Sequence, residues 1–297
     1  MAFLTVFSVP KPFVGHIGVI QRNAIKSWAL MAPDVEVRLY GDEEGVAEAA
    51  AELKVQHVPQ VTKNQFGTPL ITSVFEHVGE TSNTRMVCFV NADVILPDQL
   101  VPQCRGIDTG AFLLVGQRWD LDVKEDLDLA DPTVRGPLWS TLSERGKLHA
   151  PAGSDYFVFP RGIDWGFPPF AVGRPGWDNW LIYRARAMGV PVIDATPAIR
   201  VIHQNHDYSH LTKTGEFHTG PEAVRNTELA GAHHLFTLAD ATHRLTGDGL
   251  EPTRGLRYLR RRLLTTLILS RAAAPVFRVL DPVWYGARKL AARLPSA

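Results

Sequence analysis

The chain has 297 residues, 45% of them hydrophobic and 21% charged, with 31 Lys/Arg against 31 Asp/Glu. That is enough apolar material for one large globular domain or two small ones, and a net charge of zero excludes a global field favouring nucleic acid. The charge is unevenly placed: from Glu251 onward ten Lys/Arg face two acids, which leaves 21 basic and 29 acidic groups before it, so an acidic body carries a basic tail.

The first 120 residues alternate in pattern. FLTVFSV reads as a strand, and GVIQRNAIKSWALMA as a helix with Ile20, Ala24, Trp28 and Met31 on one face. VEVRLYG is a strand, GDEEGVAEAAAEL an Ala-rich helix that opens with acids, and VQHVPQV a short strand. TPLITSVFEHV is expected to be helical with Pro69 near its first turn. MVCFVNA is a strand buried on both faces, DQLVPQCRG a short helix and AFLLVGQRW a further strand. Residues 121–150 have a looser, charge-rich pattern. Beyond them GSDYFVFP reads as a strand, PPFAVGRPG as a loop and WDNWLIYRARAMG as a helix. VPVIDATPAIRVIHQNH holds two short strands, and PEAVRNTELAG a helix. Such alternation argues for an α/β fold with a mainly parallel central sheet flanked by helices, in which ligands bind beyond the carboxyl ends of the strands.

Cys88 and Cys104 are the two cysteines. With no CxxC pair and no Cys/His zinc spacing, no disulfide framework is expected, which fits a reducing compartment. MAFLTVFSVPKPF lacks a charged n-region, so no signal peptide is expected, and no run of about twenty apolar residues is present to span a bilayer. These readings predict a cytoplasmic protein.

No GxGxxG follows the first strand, and neither GxxxxGK[ST] nor GxSxG occurs. What remains is a set of acids, amides and histidines at predicted strand ends and loops. Asn91 and Asp93 lie two apart, on one side of the chain, where an acid either holds a hard divalent cation or caps a turn. In GRPGWDNW, Asp178 opens a helix. It is either a plain N-terminal acid or a general base over a pocket walled by Trp177 and Trp180. VIHQNHDYSH places His203, His206 and His210 in eight residues, as metal ligands or as a polar loop. Asp155 in GSDYFVFP either binds hydroxyls or turns the chain. In VGQRWDLD, Gln117, Arg118 and Asp120 end a strand, with Arg118 set to offset phosphate charge or to pair with nearby acids.

Together these residues resemble a glycosyltransferase of the GT-A fold, over about residues 1–235. VNADVIL is similar to the D-x-D element that ends the fourth strand, with Asn91 in place of the first acid. GWDNW is similar to the G-W-(E/D)-D element, with Asn179 in the second acidic place. VIHQNH matches the C-terminal metal histidine at His203. IGVIQRNAIKSW and GRPGWDNWLIYRARAMGVPVIDATP are also similar to stretches of bacterial glycosyltransferase-like proteins. The resemblance implies a nucleotide-sugar donor and a divalent metal, Mn²⁺ or Mg²⁺, held by Asp93 and His203. It implies Asp178 as the base that deprotonates an acceptor hydroxyl, with inversion. Ser8 and Pro10 would flank the nucleotide base, Asp42 would hold base or ribose, and Asn91, Ala92 and Asp93 would meet the diphosphate and its metal. Gly67 and Thr68 would open a helix toward the diphosphate. Gln117, Arg118, Asp155, Trp177 and Asn179 would line the sugar or the acceptor, a glycan or a lipid-linked glycan.

The expected organisation is a GT-A-like catalytic domain over 1–245, with a nucleotide-binding half (1–120) and an acceptor half (121–245), followed by a basic helical extension over 246–297. Within the extension GLRYLRRRLLTTLILSRAAAPVFRVL combines arginines with leucines. It either lies on an anionic membrane surface or docks on the acidic body. Three other readings stay open: a sugar-phosphate nucleotidyltransferase, which favours a glycine-rich basic loop where this chain has SVPKPFVGHIG, a non-catalytic carbohydrate- or nucleotide-binding protein of the same fold, and a retaining transferase.

Overall fold

The strand–helix alternation of the sequence is carried by β1 (Leu4–Ser8), α1 (Gly15–Leu30), β2 (Val35–Tyr40), α2 (Val46–Glu52), β3 (Gln56–Val58), α3 (Ile71–Thr81) and β4 (Met86–Val90). The structure is a computed structural model and describes residues 2–206, 219–231 and 233–270. The chain divides into two compact units, Met1–Thr253 and Arg254–Ala297.

The first unit continues with β5 (Val94–Ile95), α4 (Leu100–Arg105), β6 (Leu113–Val115), β7 (Arg118–Leu121), α5 (Pro132–Arg145), β8 (Lys147–Leu148) and β9 (Tyr156–Pro160). It ends with α6 (Trp177–Ala187), β10 (Val192–Asp194), β11 (Val201–Gln204), α7 (Pro221–Ala230), a 3-10 turn at Leu238–Asp240, β12 (His243–Thr246) and β13 (Gly249–Pro252).

Nine strands form the main sheet, in the order β13-β12-β10-β6-β9-β4-β1-β2-β3. Neighbours run parallel except at β9, which is antiparallel to both β4 and β6, and at β13, which is antiparallel to β12. This is the α/β architecture expected, with helices on both faces. The runs LTVFS and MVCFV are buried at every position because both faces are covered. One face packs Leu4, Val6, Cys88 and Val90 with Ala24 and Trp28 of α1. The other carries an aromatic cluster in which Phe7, Phe75, Phe89 and Trp177 meet edge-on or stacked. Cys88 and Cys104 are both free thiols in the core.

A second sheet, β5-β11-β7-β8, stands beside the first. Its register sets the site: His203 pairs with Val94 across the antiparallel β5–β11 pair and with Asp120 across the parallel β11–β7 pair.

Three local expectations are corrected. AFLLVGQRW is not one strand: it splits into β6 in the main sheet and β7 in the second. Gly116, between the two, lies where only glycine fits: a Cβ there would lie 2.4 Å from the Tyr156 hydroxyl oxygen and 3.1 Å from the Thr196 nitrogen. The loose stretch 121–150 contains a full helix, α5, capped by Asp131 through the Thr133 N–H and buried through Leu138 and Leu142. Finally, α3 starts at Ile71, two residues after Pro69.

The second unit holds α8 (Leu256–Leu269), whose entry residue Gly255 has φ 116°, a conformation that favours glycine.

Candidate functional site

The site grows from the carboxyl end of β4. Because β9 runs antiparallel to β4 with Tyr156 opposite Val90, the residues just outside that pair, Asn91 and Asp155, also face each other. The Asn91 N–H donates to the Asp155 carbonyl at 2.8 Å, and its Nδ2 donates to Asp155 Oδ1 at 2.6 Å. The other oxygen, Oδ2, accepts from Arg118 Nη1 at 2.8 Å. Asp155 is 5% exposed, and both carboxylate oxygens are used inside the protein. Arg118 pairs with local acids rather than standing ready for phosphate alone: its Nε also donates to Asp120 Oδ1 at 2.9 Å.

Asp93 follows two residues later, between β4 and β5. His206 Nε2 lies 3.1 Å from its Oδ2, and His203 Nε2 lies 3.9 Å from the same oxygen. One donor atom from each of Asp93, His203 and His206 lies within 4.8 Å of the others, a spacing able to hold a metal ion. Asp93 Oδ1 is buried with no hydrogen-bond partner. A buried carboxylate oxygen left unmatched is costly, so an atom that a cation would satisfy fits the donor set. Burial pushes the Asp93 carboxyl up, but the His206 hydrogen bond and the charges of His203 and Lys11 outweigh it and hold the group well below the usual carboxylate range.

Packing fixes this cluster from behind. Gln204 is fully buried. Its Nε2 donates to the carbonyls of Ile20 and Asp93, at 2.8 and 3.1 Å, and its Oε1 accepts from Asn23 Nδ2 at 3.1 Å. Trp28 Nε1 donates to the Val94 carbonyl at 2.9 Å. The buried face of α1 thus holds the carbonyls just after the Asp93 side chain, that of Val94 directly through Trp28 and that of Asp93 through Gln204.

Asp120 joins the two halves of the network. Its Oδ1 lies 3.2 Å from His203 Nδ1, within ion-pair range but outside hydrogen-bond geometry, and its Oδ2 lies 2.9 Å from His149 Nδ1. His203 is 3% exposed. Burial pushes its pKa down, but Asp120, Asp93 and Asp155 outweigh this and raise it. Burial pushes Asp120 up as well, yet His203, His149 and Arg118 hold it well below the usual range.

Asp178 sits in the first turn of α6, after Gly176, whose φ of 112° requires glycine. Its Oδ1 accepts from the Gly176 N–H at 3.3 Å. Burial first, and the Asp155 charge second, push its pKa up to about 6. The loop before it is pinned by α7: Asn226 exchanges two hydrogen bonds with the Ala171 backbone, at 2.9 and 3.0 Å, and Glu222 accepts from Arg174 at 2.6 Å.

The other candidates fall in different places. Trp177 is 6% exposed and packs against Phe75, Phe89 and Phe157, so its ring is part of the core rather than a wall for a ligand. Trp180 is equally buried, against Phe167 and Phe170. The Asn179 amide clips two backbone carbonyls, of Ala152 and Phe236. Gln117 donates to the His149 carbonyl, and its own N–H is taken by Thr196. Ser8 ends β1 with a buried hydroxyl that has no partner, and Pro10 is buried in the loop that Gln21 pins through both backbone groups of Lys11.

Asp42 is at the surface beyond β2, paired with Lys63. Gly67 and Thr68 do not open a helix. They close a tight loop in which Asn64 Oδ1 accepts from the N–H groups of Phe66 and Thr68. The N–H groups of Leu70 and Ile71 at the actual helix start already go to the carbonyls of Thr62 and Phe170. Ala92 is buried between Asn91 and Asp93. His210 lies outside the described residues.

The structure therefore brings together Asn91, Asp93, Arg118, Asp155 and His203, links Asp178 to them through the Asp155 charge, and leaves Asp42, Gly67 and Thr68 elsewhere. It adds His206 to the metal donor set, and Asp120, His149 and Gln204 behind it. The three-histidine run was the sequence signal for His206; His149 had none.

No protein-family model matches the sequence, and no curated protein matches it. Among solved structures, the chain is similar to glucosyl-3-phosphoglycerate synthase of Mycobacterium tuberculosis at 16% identity, covering 73% of this chain and 76% of that one with a TM-score of 0.44. It is similar to the same synthase crystallised with Mn²⁺, UDP-glucose and phosphoglyceric acid, at 16% identity over 71% and 74% of the two chains with a TM-score of 0.42. It is also similar to a mycobacterial protein at 18% identity over 71% and 70%, with a TM-score of 0.43.

Proposed function

We propose that this chain is a metal-assisted glycosyltransferase, moving a sugar from a nucleotide-sugar donor to a hydroxyl of a glycan or glycolipid acceptor with inversion at the anomeric carbon. One observation carries the reading. At the carboxyl edge of the sheet, a three-residue metal donor set with an unmatched Asp93 oxygen is joined through Asp120, Arg118 and Asp155 to a carboxyl group, Asp178, whose pKa is pushed up to about 6.

Asp93, His203 and His206 are the residues that would hold the ion. A bound Mn²⁺ or Mg²⁺ supplies Lewis-acid stabilisation of the charge that develops on a departing diphosphate. The chain's own groups supply the rest. At neutral pH Asp178 is ionised yet basic enough to take a proton as an acceptor hydroxyl attacks, a role that contributes roughly 10²–10⁴-fold in rate. Asp155 holds Asn91 and Arg118 in place and, through its charge, keeps Asp178 basic. Ser8 and Pro10, at the end of β1, are the proposed flank for the nucleotide base.

The test is release of nucleoside diphosphate from a panel of nucleotide sugars, with and without Mn²⁺, in the presence of simple glycan acceptors. Turnover of one donor only with the metal, lost in Asp178→Asn, supports the reading. Donor binding that persists with no turnover, unchanged by Asp178→Asn, points to the non-catalytic alternative. Anomeric NMR of the product decides inversion: a preserved configuration contradicts it.

A further inference from the structure

The sugar-transfer reading leaves α8 unused. Its sequence, LRYLRRRLLTTLIL, contains no acid, and none occurs from Pro252 to Leu280. At 3.6 residues per turn, Leu256, Leu259, Leu263 and Leu267 fall within about 80° of one another, on a single stripe along the helix. All four are exposed: 81%, 53%, 72% and 48% respectively. On the same helical wheel Arg260 and Arg262 stand on either side of that stripe, and both are exposed. Water is a poor solvent for four leucines in line, and a stripe of this kind marks an interaction surface.

We infer that α8 docks on the surface of an anionic bilayer, with its leucine stripe at the acyl boundary and the flanking arginines on lipid phosphates. Charge complementarity selects this occupant, because a cationic, acid-free segment is attracted to anionic headgroups and gains from each arginine near them. Length selects lying over spanning. The 14 residues cover about 21 Å, short of the roughly 30 Å hydrocarbon core, and no helix among the described residues is long and apolar enough to cross a membrane. Apolar residues on one side and arginine at its margins is the pattern of interfacial helices. A protein held there would meet a lipid-linked acceptor in two dimensions, but the docking itself does not depend on the sugar-transfer reading.

The test is flotation of the full chain with vesicles of phosphatidylcholine alone or with 30% phosphatidylglycerol, at low and high salt. The expected result is co-flotation with the anionic vesicles, at least ten-fold less with neutral ones, and a marked fall at high salt. Leu259→Asp with Leu263→Asp should abolish flotation while leaving the thermal unfolding midpoint of the chain unchanged, which separates lost docking from lost folding. Arg260→Glu with Arg262→Glu should do the same. No flotation of the unaltered chain overturns the inference, and so does flotation that neither double variant reduces. Sedimentation of the chain without lipid gives one more arm: a dimer that Leu259→Asp with Leu263→Asp dissociates, with no flotation, assigns the stripe to a second copy instead.

Discussion

His206 Nε2 stands 3.1 Å from Asp93 Oδ2, although 113 residues of chain separate them. The antiparallel pairing of β5 with β11 makes this contact, since it sets His203 opposite Val94 and carries the chain on past Asp93. His206→Ala should therefore weaken Mn²⁺ binding by at least about ten-fold, as loss of one of three ligands would. Mn²⁺ titration followed by electron paramagnetic resonance measures it, and His203→Ala gives the matching comparison. Unchanged affinity in the His206 variant would remove it from the donor set.

Asp120 touches no proposed ligand site directly, yet it faces His203 Nδ1 and leaves Nε2 turned toward Asp93. A carboxylate behind a ligating imidazole orients the ring by its charge, and losing such an outer partner typically costs 10–100-fold in metal affinity. Asp120→Asn should fall in that range for Mn²⁺ affinity with an unchanged far-ultraviolet circular dichroism spectrum.

Asp178 has opposite consequences for catalysis and stability. Its folded pKa of about 6 lies above the ordinary 3.8, so between those values the folded chain holds more protons than the unfolded one. The stability that Asp178 contributes is therefore fully present below about pH 4 and is lost as pH rises toward 6. Asp178→Asn should remove that fall and raise the midpoint of thermal unfolding by a few degrees at pH 7.5, while turnover drops about 10²–10⁴-fold. Thermal unfolding from pH 4 to 7.5 beside a turnover assay checks both. A variant less stable than the parent at pH 7.5 would contradict the assignment of a strained carboxylate.

Gln204 is the amide that ties α1 to the metal cluster. Gln204→Ala removes three buried hydrogen bonds, to the carbonyls of Ile20 and Asp93 and from the Asn23 amide, although the Asp93 carbonyl keeps the backbone N–H of residue 204 and the Asn23 amide keeps the Glu125 carbonyl. A hydrogen bond of this kind contributes about 0.5–1.5 kcal/mol net, so the urea midpoint should fall with an unchanged slope. Mn²⁺ affinity should fall with it, because the Asp93 carbonyl keeps only one of its two hydrogen bonds to residue 204.

Much of this was legible in residue pattern. MVCFV and LTVFS read as strands buried on both faces because nothing polar interrupts them, and Ile20, Ala24, Trp28 and Met31 marked the buried face of α1 by their spacing alone. Other parts were hidden for physical reasons. Gly136 and Pro137 interrupt the periodicity of α5, although Asp131-Pro132-Thr133 carries a helix-start signal and Leu138 and Leu142 lie four apart. The close approach at Gly116 comes from Tyr156, which is 40 residues away in sequence. The contacts of Asp120 with His203 and His149 arise from the register of the second sheet, and pairing between distant strands leaves no mark in a local window. Trp177 and Trp180 read equally well as a ligand wall or as core until their aromatic neighbours are known.

The measurement that bears most directly on the account is calorimetric titration of the purified chain with a panel of nucleotide sugars, with and without Mn²⁺, beside Asp93→Ala. One donor should bind tightly with Mn²⁺, weakly without it, and weakly under both conditions in the variant. Binding of that donor with equal affinity in all four experiments, or of no donor in any, would contradict a metal-assisted nucleotide-sugar site at Asp93.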